Sequence, residues 1–133
     1  MATPQHSIEL IHARNLMASL STPACLVDEG ATLVFYNDAA GQLLGRHFEE
    51  RGPVPAGTWY QEFGPVDKEG NPLPLEELST TVALRHGHPA HARFCIHNLS
   101  GERHEIDLSA MPIVGSEGFR GAMAFFWPVG SGP

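Results

Sequence analysis

Lysine is almost absent from this 133-residue chain: Lys68 stands alone, and with the arginines it makes 8 basic residues against 15 acidic ones. The resulting net charge of −7 speaks against a nucleic-acid backbone or an anionic membrane surface as partner, because both are held by basic patches. Cysteine is as scarce. Cys25 and Cys95 make no disulfide framework, which leaves a reducing cytoplasm as the expected compartment. No apolar run approaches the roughly 20 residues of a membrane span. The polar start Met1–Ser7 has neither the charged nor the apolar part of a secretory leader. With 42% hydrophobic and 17% charged residues, the composition excludes disordered, collagen-like and coiled-coil chains, and the length suits one domain with its own core. What is plentiful is glycine (14), proline (11) and histidine (8).

Helical periodicity opens the chain. Leu10, Ala13, Met17 and Leu20 share one face of a 3.6-residue repeat, which predicts an amphipathic helix over about Ser7–Leu20, its stripe widened by Ile8, Ile11 and Leu16. Thr22-Pro23 ends it, since a residue before proline avoids the helical region. Ala24–Asp28 and Leu33–Tyr36 are β-rich and joined through Gly30, a hairpin pattern. Asn37 is placed to cap a short helix over Asp38–Leu44, and Gly45 to close it.

Residues 46–74 are irregular, yet they hold Phe48, Trp59, Tyr60 and Phe63, so they are expected to wrap over the core with short helical turns. A helix over Leu75–His86 follows, with Leu75, Leu78 and Val82 on its stripe and Gly87 as its stop. Alternation then predicts strands carrying Ala92, Phe94 and Ile96, then Ile106, Leu108 and Ala110, on one face. In the last strand, Phe119–Trp127, Met123, Phe125 and Trp127 lie on one face and Phe126, Ala122 and Ala124 on the other, so both faces are covered. Helices bunched between strands make an α+β fold with helices on one face of a sheet. The N-terminal helix is the natural cover for the other face, in this chain or in a partner.

That order, and the residues at its corners, resemble the PAS domain family. The segment LVFYNDAAGQLLGR (33–46) looks like the family's second strand and following helix, with Asn37, Ala40, Leu44 and Gly45 at the matching positions. Asp28 and Gly30 match the first turn, and Asp67–Pro72 resembles a turn before the family's long helix. Leu84, Arg85 and Gly87 look like the end of that helix, Ser100-Gly101 like the next turn, and Pro112-Ile113 and Gly121 like the remaining strand ends. The resemblance covers residues 21–128, leaving 1–20 as a leading helix and 129–133 as a tail.

It implies a five-stranded antiparallel sheet in the order 2-1-5-4-3, whose helix-capped concave face holds a packed core or a small ligand. It also implies a sensory, dimerising or protein-recruiting module. Trp127-Pro128-Val129 stands where the family has an Asp-Ile-Thr type exit, so the signal is expected to leave through the surface to a separate signalling protein, unless an output domain has been cut away.

Candidate chemistries follow from this frame. Flavin photosensing in the family needs a cysteine on the helix crossing the pocket, whereas Cys25 and Cys95 fall in strands. Haem sensing needs an imidazole on the long helix, and Leu75–Arg85 contains none, with His86 at its very end. His86, His88 and His91 have a spacing that could meet at a turn, a weak metal pattern beside the simpler reading of solvent-exposed histidines. No Gly-x-Ser-x-Gly elbow is present, Gly41, Gly45 and Gly52 make no phosphate loop, and Glu49-Glu50 and Glu76-Glu77 read as solvated pairs, so no enzyme is expected.

An apolar pocket would be lined by Phe94, Ile96, Ile106, Leu108, Met123 and Phe125 from the sheet and by Trp59, Tyr60, Leu78 and Val82 from the cap. Ala92, Ala110 and Gly121 could leave it void, or large neighbours could fill it. Leu10, Ala13, Met17, Leu20 and Phe126 are the candidates for a homodimer interface. The expectation is a non-enzymatic regulatory module acting by dimerisation or protein–protein contact, without metal, flavin or haem. The alternative is a sensor of a small apolar or aromatic molecule.

Overall fold

A computed structural model describes residues 8–48, 52–115 and 120–129. The expectations stated for residues 1–7, Glu49, Glu50, Phe119 and the tail from residue 130 lie outside these described residues. Helix α1 spans Ile8–Ala18, strands β1 and β2 span Ala24–Val27 and Leu33–Tyr36, and α2 spans Asp38–Leu44. Helix α3, Ala56–Phe63, and α4, Ser79–His86, precede β3 (Ala90–His97), β4 (Arg103–Val114) and β5 (Arg120–Pro128). The five strands form one antiparallel sheet in the order β2-β1-β5-β4-β3. This is the α+β arrangement expected above.

Local chemistry sets the corners. Asn37 caps α2 by accepting the Ala40 N–H at 3.0 Å, and Gly45 closes that helix at φ 96°, a left-handed conformation that suits a residue without Cβ. Helix α3, foreseen only as helical turns, starts after Pro55 and stops at Gly64. Each edge strand of the sheet carries an isolated bridge. Val54 pairs with Leu33 of β2, and Val66 pairs with Cys95 of β3, whose side chain is buried.

Helix α1 docks on the outer sheet face of its own chain, against β1 and β2. Leu10, Ala13 and Met17 are buried there, and the Arg14 guanidinium lies 4.9 Å from the centroid of the Phe35 ring. The wider stripe does not hold: Ile8, Ile11 and Leu16 point to solvent at 60%, 49% and 57% exposure, and Leu20 lies beyond the helix end. A helix on a flat sheet buries only a narrow strip of its surface, and Leu10, Ala13 and Met17 fill that strip.

Two further expectations are corrected. The helix over Leu75–His86 is broken into a 3-10 turn, Leu75–Glu77, and α4, with Leu78 extended between them (ψ 141°). The break buries Leu78 in the core and leaves Val82 half-buried. In β5 the faces are reversed. Phe126 lies opposite Leu108 and Ala124 opposite Ala110, so these residues face the helices, while Phe125 and Met123 pair with Ser109 and Met111 on the outer face. Gly121, opposite Ile113, shares that outer face. A strand apolar on both sides carries no alternation to orient it, so pairing with β4 decides. The inward Ala110, Ala122 and Ala124, all fully buried, leave room for α4 to pack across β4 and β5.

The exposed half of the outer face is held by charge. Arg93 Nε and Nη2 each donate to an Asp107 carboxylate oxygen at 3.0 Å, and His91 lies 3.7 Å from the same group. The Arg93 guanidinium holds the Asp107 carboxyl below the usual carboxylate range. Asp67 is lowered as well, chiefly by the Asn71 backbone N–H across its turn. A carboxyl more acidic in the folded than in the unfolded chain stabilises above its ordinary value of 3.8, and that contribution is lost as pH falls through the depressed value. Asp107→Asn is therefore expected to shift the urea midpoint downward at pH 7 but much less at pH 3. An equal shift at both pH values would contradict the pairing.

Candidate functional site

The concave face of the sheet is not filled. A cavity of about 90 Å³ lies between it and the helices. Its floor comes from the inward positions of every strand: Cys25 and Val27 of β1, Leu33 of β2, Phe94 and Ile96 of β3, Ile106 and Leu108 of β4, and Phe126 of β5. Its roof comes from Leu44 of α2, Trp59 and Phe63 of α3, then Pro65, Leu78, and Ser79 and Thr80 at the start of α4. The indole on the roof is fixed by a hydrogen bond. Trp59 Nε1 donates to the Ala31 carbonyl at 2.8 Å, which ties the indole to the β1–β2 turn. Tyr60 points elsewhere, its hydroxyl donating to the Leu73 carbonyl.

Of the pocket residues expected from sequence, the structure brings together Trp59, Leu78, Phe94, Ile96, Ile106 and Leu108. Tyr60 and Val82 are not in the lining, and Met123 and Phe125 face the opposite side of the sheet. Ala92, Ala110 and Gly121 do not create the void. Cys25, Val27, Leu33, Leu44, Phe63, Pro65, Ser79, Thr80 and Phe126 were missed; only the alternation of Cys25 and Val27 along β1 gave a signal. Of the interface candidates, Leu10, Ala13 and Met17 are consumed by the chain's own sheet and Phe126 is inside the cavity, so only Leu20 keeps substantial exposure, at 36%.

Among the described residues Cys25 is the one lining side chain with an ionisable group, and burial pushes its thiol up to about 12, so it stays neutral. Its side chain is half-buried and lines the cavity. The histidine pattern does not assemble. His86 and His88 stack at 6.2 Å between ring centroids, His91 turns to Asp107, and no group of three metal-binding side chains converges among the described residues. No helix among the described residues is long and apolar enough to cross a membrane.

An antiparallel sheet in this strand order, with helices bunched on its concave face around an apolar hollow and a further helix behind it, defines a class of small α+β domains. No family model matches the chain, and no curated protein sequence matches it. Solved structures do. The chain is similar to the PAS domain of a two-component sensor histidine kinase (TM-score 0.62, 13% identity, 91% of this chain and 96% of that one). It is also similar to the PAS domain of nitrogen regulation protein NR(II) from Vibrio parahaemolyticus (TM-score 0.63, 15% identity, 88% and 97%). The Rhodobacter sphaeroides LOV protein gives a TM-score of 0.72 at 15% identity over 94% of this chain and 70% of that one. The chain has the PAS fold.

Proposed function

We propose that this chain is a non-enzymatic sensory or regulatory module of the cytoplasm whose input is a small molecule held between sheet and helices. The observation that carries the reading is the apolar cavity of about 90 Å³, since a domain serving only as a structural platform has no use for an unfilled core. The similarity to PAS domains of sensor proteins supports it. Nothing in the lining forms a nucleophile–base or acid–base pair, and the neutral Cys25 thiol is a poor nucleophile. Native mass spectrometry of the freshly purified chain is the test: a retained small molecule is expected, and a chain that never binds one at any stage of purification contradicts the reading.

The output we propose is association, with a second copy or with a separate signalling protein. Ile8, Ile11 and Leu16 on the solvent side of α1, with Met111 and Trp127 exposed on β4 and β5, give the outer face more apolar surface than solubility requires. Ile11→Glu with Leu16→Glu changes only exposed positions, so the fold is expected to survive while a dimer, measured by light scattering after size exclusion, becomes a monomer. A parent chain that is already monomeric at high concentration and captures no partner would sink this output.

A further inference from the structure

We infer that the cavity selects an uncharged, apolar molecule no larger than about one small ring or a short chain. This rests on the reading of the cavity as a ligand site and names what that site accepts. Size comes first. At about 90 Å³ the cavity is smaller than the dry apolar cavity of roughly 150 Å³ that takes up benzene, so one small ring or a short chain is the most it accepts. A flavin ring system or a tetrapyrrole does not fit without rebuilding the sheet–helix packing; among the described lining residues there is no histidine, and the Cys25 thiol is held neutral.

Charge comes second. Among the described residues the lining contains no Asp, Glu, Lys, Arg or His, so a carboxylate or ammonium brought inside would lose its hydration and meet no partner among them. The lining exposes almost no polar surface. The Trp59 N–H is already spent on the Ala31 carbonyl. Ser79 and Thr80 line the cavity from the first turn of α4, yet they present it with carbon rather than with free hydroxyl surface. A ligand's polar atom would lose its hydrogen bonds to water inside and gain none, while an apolar ligand lies against Val27, Phe94, Ile106 and Phe126.

Toluene, p-cresol, benzoate and flavin mononucleotide are the probes. They are titrated into the unmodified chain, with the methyl resonances of Val27, Ile96, Ile106 and Leu108 as reporters of the cavity. Saturable shifts are expected for toluene, weaker binding for p-cresol, whose hydroxyl finds no partner, binding at least about 100-fold weaker for benzoate, and no cavity shifts for flavin mononucleotide. In a Trp127→Phe variant, Trp59 is the only tryptophan left and its emission is expected to follow the same curves. Cys25→Phe, which fills the cavity, should abolish the shifts; Val27→Phe is the second filling variant if the first does not fold. Benzoate or flavin binding as tightly as toluene would overturn the selectivity and leave the sensory reading standing. No cavity shift with any of the four probes would overturn both.

Discussion

Asn37→Ala is expected to destabilise the chain by about 3–5 kcal/mol, since each orphaned buried group costs about 1–3 kcal/mol. Buried at 2% exposure, Asn37 is the junction of three elements. Its Oδ1 accepts the N–H groups of Ala24, at the start of β1, and of Ala40, in the first turn of α2. Its Nδ2 donates to the carbonyls of Met17 and Thr22 at 3.0 and 2.9 Å and, more weakly, to that of Leu20 at 3.4 Å. Alanine strips two backbone donors of their acceptor and removes the helix cap. For a domain of this size the loss corresponds to a fall in Tm of roughly 10–20 °C. Asn37→Asp separates the two halves of the network. It keeps the acceptor but sets a carboxylate oxygen against three carbonyls, so at neutral pH it should be about as damaging as alanine and should recover in part when protonated. A calorimetric Tm within about 2 °C of the parent for both variants, equivalent to about half a kcal/mol, would mean that Asn37 does not hold α1 to the sheet.

Met17→Asp acts on the same joint from the helix side. Met17 has no exposed surface and sits beneath α1 among the core side chains. Removing a buried methionine costs about 2–5 kcal/mol, and placing an unpaired carboxylate in its position adds the cost of burying a charge. The expected result is undocking of α1 or loss of folding, read as a collapse of the urea midpoint and faster proteolysis within the first 20 residues of the chain. Met17→Leu, close in volume, should stay within about 1.5 kcal/mol of the parent. If Met17→Asp leaves midpoint and proteolysis unchanged, α1 is not part of the folded core.

Sequence made much of this legible, for identifiable reasons. Leu10, Ala13 and Met17 stood out because a helix against a sheet repeats its contact every three to four residues. Asn37 and Gly45 were visible because capping and left-handed closure admit few residue types. The strand faces of β3 and β4 could be read because polar residues alternate with apolar ones there. Phe126 and Phe125 could not be assigned, since both faces of β5 are apolar and only its register with β4 decides which faces the helices. Leu78 falls on the stripe Leu75, Leu78 and Val82, which predicts one continuous helix; burial of Leu78 in an extended conformation overrides that periodicity. A hollow leaves no mark on sequence, because it depends on how far Trp59, Phe63 and Phe94 stand apart once anchored.

Whether the space between sheet and helices is hollow can be measured directly. Xenon enters dry apolar cavities of this kind, so a crystal of the unmodified chain pressurised with xenon should show a bound atom between Val27, Trp59, Phe94 and Phe126. A core with no xenon and no ligand density there, its side chains packed to contact, would contradict the reading of this domain as a receptor for a small neutral molecule.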